Sequence, residues 1–353
     1  MKNTFLMFLC VLPVVLLAQN RVEAEKLVNE GVVLHDKGDY AGALSRYDQA
    51  LELDLNNSLA LSEKALTLCE IGRYQDSIEY CKRAIEKNDG TANLQVVYVT
   101  YGNNLDLLQK TDEAMAIYAE GIRLYPDYFQ LYFNKGIALT SAEKYEQAIA
   151  CFRKSASLNP QHAGTHHILG RVLFSQNKNI PALMAFCRFL VLEPEGEKAR
   201  QNVALLHKIL KGNVEKTGKK SITIQIDASL LTGAMTEDAA QEDNFASTEM
   251  ILSMASAMDH DKKNRNKKPI ELFVFKMDMI CSSLRESKKN KTGFFWDYYA
   301  PYLIDLKERD LTETFAYIVN ASSEEKSIAT WLNSHKQEVK KFYEWSESFR
   351  WNR

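Results

Sequence analysis

Charge of one sign is missing from this 353-residue chain. Lys and Arg number 44 against 46 Asp and Glu, a formal net charge of -2. No broad basic field is available to draw it onto a phosphate backbone, so nucleic acid is not an expected partner. Paired cysteines are missing too. Beyond Cys10 stand Cys69, Cys81, Cys151, Cys187 and Cys281, an odd number with no CxxC spacing. That excludes a zinc knuckle and argues against a disulfide framework. Small buried thiols inside helices are expected instead, with a Cys69–Cys81 bridge as the alternative. The one long apolar run, residues 5–18, falls short of the roughly 20 residues that span a bilayer as a helix. Catalytic strings are also lacking: there is no HExxH, GxSxG or GxGxxG. Residues 212–220 depart from a phosphate loop, because Lys220 stands where Ser or Thr is needed and no strand precedes. Two SxxK strings, at Ser141 and Ser323, sit at helix starts where serine serves as a cap. The expectation is a protein without catalysis, cofactor or metal.

The N-terminus is the first positive feature. Lys2 precedes the apolar core 5–18, and Ala18-Gln19 suits cleavage although Leu16 is large for its place. This reads as a signal peptide over 1–18. A lipidated Cys10 is rejected, because the apolar run continues past it and Leu9 is the wrong size before it. Export as a mature chain from about Gln19, to a bacterial periplasm or beyond, is the resulting expectation.

Three series then recur in phase. Small residues fall at Gly31, Ala65, Gly102, Gly136 and Gly170, with steps of 34, 37, 34 and 34. Ala43, Ser77, Ala114, Ala148 and Ala182 follow twelve residues later, then Tyr47, Cys81, Tyr118, Phe152 and Phe186. Three residue classes sharing one period define an internal repeat of stacked supersecondary units. Each unit reads as two antiparallel helices. In the fourth, helix A covers 129–141 and helix B 145–157, with Tyr132, Gly136 and Leu139 on one stripe and Tyr145, Ala148, Phe152 and Ala156 on the other. Asn159-Pro160 stops helix B. Three extra residues before Gly102 are assigned to the turn-rich loop near Asn88-Asp89-Gly90.

The unit resembles the tetratricopeptide repeat. The first copy matches through Leu27, Gly31, Leu34, Tyr40, Ala43, Tyr47 and Ala50, with Leu55 in place of the terminal proline. The later copies match more unevenly: Thr111 and Asn179 replace the Tyr before helix B in the third and fifth. The resemblance covers about half the chain and implies an all-α solenoid of five helix-turn-helix repeats, a capping helix and a smaller, mainly helical C-terminal domain. It also implies a concave face, formed by the A helices, that binds a protein or peptide. Positions implied to line it are Val28, Val32, Leu66, Val99, Phe133, Ile137, His167, Arg171 and Phe174. They are mostly apolar. Chaperone-binding members hold a peptide carboxylate in a clamp of Lys, Asn and Arg. Val28, Val32 and Glu63 stand at clamp positions here, so that clamp is absent.

The domain layout expected is 1–18 leader, 24–196 repeat array, 197–213 capping helix, 214–268 linker with one helix, and 269–353 helical C-terminal domain. The cap stripe is Ala199, Val203, Leu206 and Leu210, needed because a last repeat otherwise exposes its apolar face. Ile222, Ile224 and Ile226 alternate as in a strand, with no evident partner. Helices are expected near 245–258, 298–309, 312–320, 323–333 and 335–349, with Ser323 and Ser334 as caps. The aromatic string 293–299 and that at 342–351 read as domain core, with a ligand-binding or enzymatic site there as the rival function. His162, His166 and His167 are the one metal-like cluster, read as packing and capping. The leading expectation is an exported interaction scaffold. Occupation of its groove by the chain's own C-terminal region is the competing one.

Overall fold

The repeats form the expected helical hairpins: α1 (Asn3–Asp36) with α2 (Tyr40–Leu53), α3 (Ser58–Glu70) with α4 (Tyr74–Lys87), α5 (Leu94–Leu107) with α6 (Thr111–Leu124), α7 (Phe129–Ser141) with α8 (Tyr145–Leu158), and α9 (Ala163–Ser175) with α10 (Asn179–Leu192). The computed structural model describes residues 3–88, 90–212, 214–217, 222–224, 242–264 and 266–351. It divides into two compact units, Met1–Cys151 and Phe152–Arg353. The acidic stretch 236–241 and the linker residues 213, 218–221 and 225–235 lie outside the described residues.

The phased residues meet in one close contact inside the first, third and fifth hairpins. A Cβ added at Gly31 lies 2.4 Å from the Tyr47 ring, one at Gly102 2.4 Å from Tyr118, and one at Gly170 2.6 Å from Phe186. Helix A gives up its side chain so that helix B can lay an aromatic ring on its backbone. In the second repeat both partners change: Ala65 stands in place of the glycine and the smaller, non-aromatic Cys81 in place of the ring, and both are buried.

A second period lies in the turns. Gly38, Gly72, Gln109, Glu143 and Asn177 all adopt positive φ, from 55 to 80°. The next N–H reaches back to a leucine carbonyl each time: Asp39 to Leu34, Arg73 to Leu68, Lys110 to Leu105, Lys144 to Leu139 and Lys178 to Leu173, at 2.8–2.9 Å. This is the six-to-one bond of a Schellman cap. The residues at the left-handed position share no chemical class, so only geometry reveals the series.

The three-residue insertion divides between two elements. The connection from α4 to α5 spans 88–93, six residues where the other repeat connections have four, and α5 has 14 residues against 13 in α3, α7 and α9. The sequence assigned all three to the loop.

In the second unit, α10 is buried on every side from Ile180 to Val191. Around it lie α9, α11 (Glu197–Lys211), α12 (Ala246–Ala257) and, after α13 (Pro269–Ser287), α14 (Phe294–Tyr298) and α15 (Ala300–Glu308), the helix α16 (Thr312–Val319). The chain ends in α17 (Lys326–Ser334) and α18 (Lys336–Ser348). The expected 197–213 cap and 269–353 domain therefore share one unit with the fifth repeat. A helix apolar all round belongs in the middle of a core, not on a surface. The lone strand finds a partner in residues read as linker: Val214–Lys216 pairs antiparallel with Ile222–Ile224. Two predicted helix starts shift. Ser323 caps nothing, since α17 begins at Lys326 after Glu325. Ser334 turns back to the Thr330 and Trp331 carbonyls, so no capping box opens α18.

Candidate functional site

In the first unit the A helices lie side by side, α1 against α3, α3 against α5 and α5 against α7. Equivalent positions on successive A helices are thereby brought into one row. Val32, Leu66, Val99, Phe133 and Ile137 are half-buried along these helices. Val28 is not available to a partner: its side chain is fully buried in the core with Ala24, Ala43 and Tyr47. In the second unit, Arg171 is exposed and Phe174 half-buried. They line an open groove of about 630 Å³ with Ser175 and, from α11, Gln201, Ala204 and Leu205. The Lys208 ammonium lies 5.4 Å from the Phe174 ring centre, a cation–π contact. His167 is turned away: it is buried, meets Asn202 of α11 at 2.8 Å and packs on the Phe189 ring. Burial lowers its pKa. Its place is the seam between repeat and cap.

A polar cluster that the register did not single out sits between α1 and α3. His35 Nδ1 meets the Thr67 hydroxyl at 2.8 Å, and that hydroxyl also donates to the Glu63 carbonyl at 3.0 Å. Glu63 is half-buried, and its carboxyl titrates above its usual range through burial, opposed by His35 and reinforced by Asp36. The fully buried Tyr47 has its hydroxyl end among Thr67, Glu63 and Asp36, and burial pushes its pKa up to about 12. The only sequence signal for the cluster was Glu63 at one of the positions of the Lys, Asn and Arg clamp that the resemblance implied.

The three histidines serve packing. His162 caps α9 by accepting from the Thr165 N–H. His166 is fully buried; Nε2 donates to the Pro160 carbonyl at 3.0 Å, so Nδ1 accepts from the Tyr299 hydroxyl at 2.6 Å. Burial, with Arg188 nearby, lowers its pKa to about 3. Among the described residues no three His, Cys, Asp or Glu side chains gather as a metal site requires. The five described cysteines are free thiols, Cys69 and Cys81 included.

The aromatic strings are core. Trp296 is buried, stacks on Phe245 at 4.3 Å and donates to the Asn244 carbonyl at 3.2 Å. Asp243 braces the same corner, accepting from the Phe295 N–H at 2.7 Å and pairing with Arg153 at 2.8 Å. Tyr298 donates to the Ala156 carbonyl at 2.7 Å. Arg188 of α10, only 2% exposed, lies 4.5 Å from the Trp351 ring and donates to Gln161 at 2.9 Å and Pro160 at 3.2 Å. Trp296 and Tyr299 are thus occupied by the protein itself. The C-terminal helices contact α10 and α11, while Arg171 stays exposed.

Helical hairpins joined by a recurrent cap and packed through a small-residue-on-aromatic contact define a helical-repeat scaffold, a class that supports protein–protein interaction. Three stretches match tetratricopeptide repeat families: residues 28–92, 96–128 and 129–162. Residues 28–162 are therefore built of tetratricopeptide repeats. It is 32% identical over 104 residues to Protein STIP1 homolog of Dictyostelium discoideum, covering 28% of this chain and 18% of that one. It is 31% identical over 104 residues to the small glutamine-rich tetratricopeptide repeat-containing protein of the same organism, 30% of each chain. A third relative, Hsp70-Hsp90 organizing protein 3 of Arabidopsis thaliana, is 36% identical over 64 residues, 18% of this chain and 12% of that one. The chain thus spans less than a third of each relative's length. Among solved structures, that of Pseudomonas aeruginosa pilF is similar at 22% identity and a TM-score of 0.48, over 54% of this chain and 85% of that one. A crystal structure of MamA is similar at 24% identity and a TM-score of 0.41, over 46% and 94%.

Proposed function

We propose that this protein is an exported interaction scaffold that binds a protein or peptide along the inner face of its A helices. The observation that carries the reading is two sets of half-buried apolar residues one helical turn apart on the A helices, Val32, Leu66 and Ile137 at one register and Val99 and Phe133 at the other. Burial of partner side chains there supplies the affinity, roughly 25 cal/mol for each Å² of apolar surface removed from water. Such binding persists at moderate salt. The carboxylate clamp of chaperone-tail binders is not carried over, because Val28, Val32 and Glu63 occupy its positions.

Export rests on the leader reading of 1–18. Cleavage after Ala18 leaves α1 with its core residues Ala24 and Val28 intact. Amino-terminal sequencing of the chain from a fractionated native host tests it: a start at Gln19 in the envelope or medium supports export, and an intact Met1 chain in the cytosol refutes it. For the groove, a crosslinked pull-down with Phe133→Glu is decisive. Loss of the captured partner with an unchanged circular dichroism melt is expected. Full retention removes the groove from the reading.

A further inference from the structure

The groove between α9 and α11 joins an apolar floor to charge of one sign. Arg171, Phe174 and Ser175 line it from α9, and Gln201, Ala204 and Leu205 from α11, around about 630 Å³ of open space. On each helix the outermost of these positions lie four apart and share one face. The buried His167–Asn202 hydrogen bond, at 2.8 Å, ties the two helices together. Phe174 and Leu205 are half-buried, Arg171 and Lys208 are exposed, and the Lys208 ammonium lies over the Phe174 ring. Neither cation has a carboxylate partner among the described residues.

The bias extends along both helices. They carry Arg171, Lys198, Arg200, Lys208 and Lys211, and their single acid is Glu197. That acid sits at the start of α11, where it accepts from Arg200 at 2.6 Å and from Gln201 at 3.1 Å. The whole chain has a net charge of -2, so the positive excess is local to these two helices. A surface of one sign selects a partner segment of the other. Half-buried Phe174 and Leu205 add an apolar seat that charge alone does not explain.

We propose that the α9–α11 groove takes a segment of a partner protein in which a large apolar side chain stands beside Asp or Glu. This rests on the scaffold reading above and names the partner's chemistry at the second unit. The apolar side chain packs on Phe174, Ala204 and Leu205. The carboxylate pairs with Arg171, whose guanidinium forks onto both oxygens, and with Lys208. An amphipathic segment presents both groups on one face. A nucleic acid or a lipid headgroup would meet the cations and leave the apolar floor unfilled.

The test uses the full chain and degenerate decapeptide pools with two central positions fixed as Leu-Glu, Leu-Gln, Leu-Lys or Ser-Glu, read by fluorescence anisotropy. The Leu-Glu pool is expected to bind about tenfold more tightly than Leu-Gln or Ser-Glu, the scale of one charge-assisted hydrogen-bonded contact. Arg171→Gln with Lys208→Gln, both at exposed positions, should bring Leu-Glu to within roughly twofold of Leu-Gln. Arg171→Glu with Lys208→Glu should reverse the order and favour Leu-Lys, an outcome that a merely structural role for the two cations would not produce. Equal binding of Leu-Glu and Leu-Gln overturns the inference, as does an acidic preference that survives in the double Gln variant. Binding of an oligonucleotide without binding of the Leu-Glu pool assigns the cations to phosphate and also overturns it. Self-association of the free chain that Arg171→Glu abolishes makes the occupant a second copy, with the same result. Binding seen only after deletion of residues 236–241 gives the groove to the chain's own acidic stretch and overturns it too. If pools bind without acidic preference and Phe133→Glu abolishes that binding, the scaffold reading stands and this site falls. If no pool binds, this site falls, and the pull-down with Phe133→Glu still decides the scaffold reading by itself.

Discussion

At the scale of single residues, the glycine-on-aromatic contacts make a sharp forecast. Gly102→Ala must displace the buried Tyr118 ring, and overpacking of this kind costs about 1–3 kcal/mol. The second repeat carries its own remedy, Ala65 with Cys81. Adding Tyr118→Cys to Gly102→Ala should therefore cost less than the sum of the two single changes in urea denaturation. Two buried titratable groups shape the pH profile. Glu249 on α12 accepts from the Ile180 N–H, and burial raises its pKa to about 7. The folded protein keeps that proton while the unfolded chain loses it near pH 4.3, so this contribution is full below about pH 4.3 and is lost as pH rises to about 7. His166 acts in the other direction. Its folded pKa of about 3 lies below the unfolded value near 6.5, so its contribution is full above about pH 6.5 and is lost as pH falls toward 3. Between about pH 4.5 and 6.5 the two slopes oppose, and stability should be nearly flat. Glu249→Gln should unmask the histidine, turning that plateau into a rise with pH, read from denaturation midpoints. A profile that stays flat in the variant rejects this account.

At the scale of elements, the hairpin turn is the unit that repeats most faithfully. Its left-handed residue is glycine twice and a side-chain-bearing residue three times. Non-glycine residues carry a penalty of about 1 kcal/mol in that region. Glu143→Gly should thus raise stability by up to about 1 kcal/mol, and Gly72→Val should lower it by at least as much, both by equilibrium denaturation. An unchanged midpoint for Glu143→Gly would show that its side chain contributes what its backbone loses. The helix starts at Lys326 and Lys336 carry the opposite lesson. Ser323 and Ser334 have cap chemistry, yet Ser334 bonds backward into its own preceding turn. A serine offers its hydroxyl to whichever backbone group the packing brings near.

At the scale of the whole molecule, the C-terminal region completes the core around α10. Removing residues 242–353 should expose the outer face of a helix buried on every side from Ile180 to Val191. The truncated chain is expected to self-associate in size-exclusion chromatography and to lose hydrogen-exchange protection over α10. A monomer with α10 still protected would overturn that dependence. The sequence carried a signal for this that composition alone obscured. The B helices of other repeats alternate apolar and polar positions, as Tyr74–Lys87 does, whereas residues 180–192 are apolar apart from Arg188. That one cation is covered by Trp351 and bonded to Pro160 and Gln161.

The period, the hairpins and the all-helical class were legible from residue order, because close helix crossings demand small residues opposite large ones at fixed intervals. The same register pointed to the inner face, and for Leu66, Val99, Phe133 and Phe174 it named side chains that are not fully buried. It could not separate these from Val28 and His167, which the fold takes into its core and its cap seam. Nor could it foresee the cluster of Asp36, Glu63 and Tyr47, or the closure of the C-terminal helices on α10. Those depend on residues between eleven and more than a hundred positions apart, and only the packing of helices decides which of them meet.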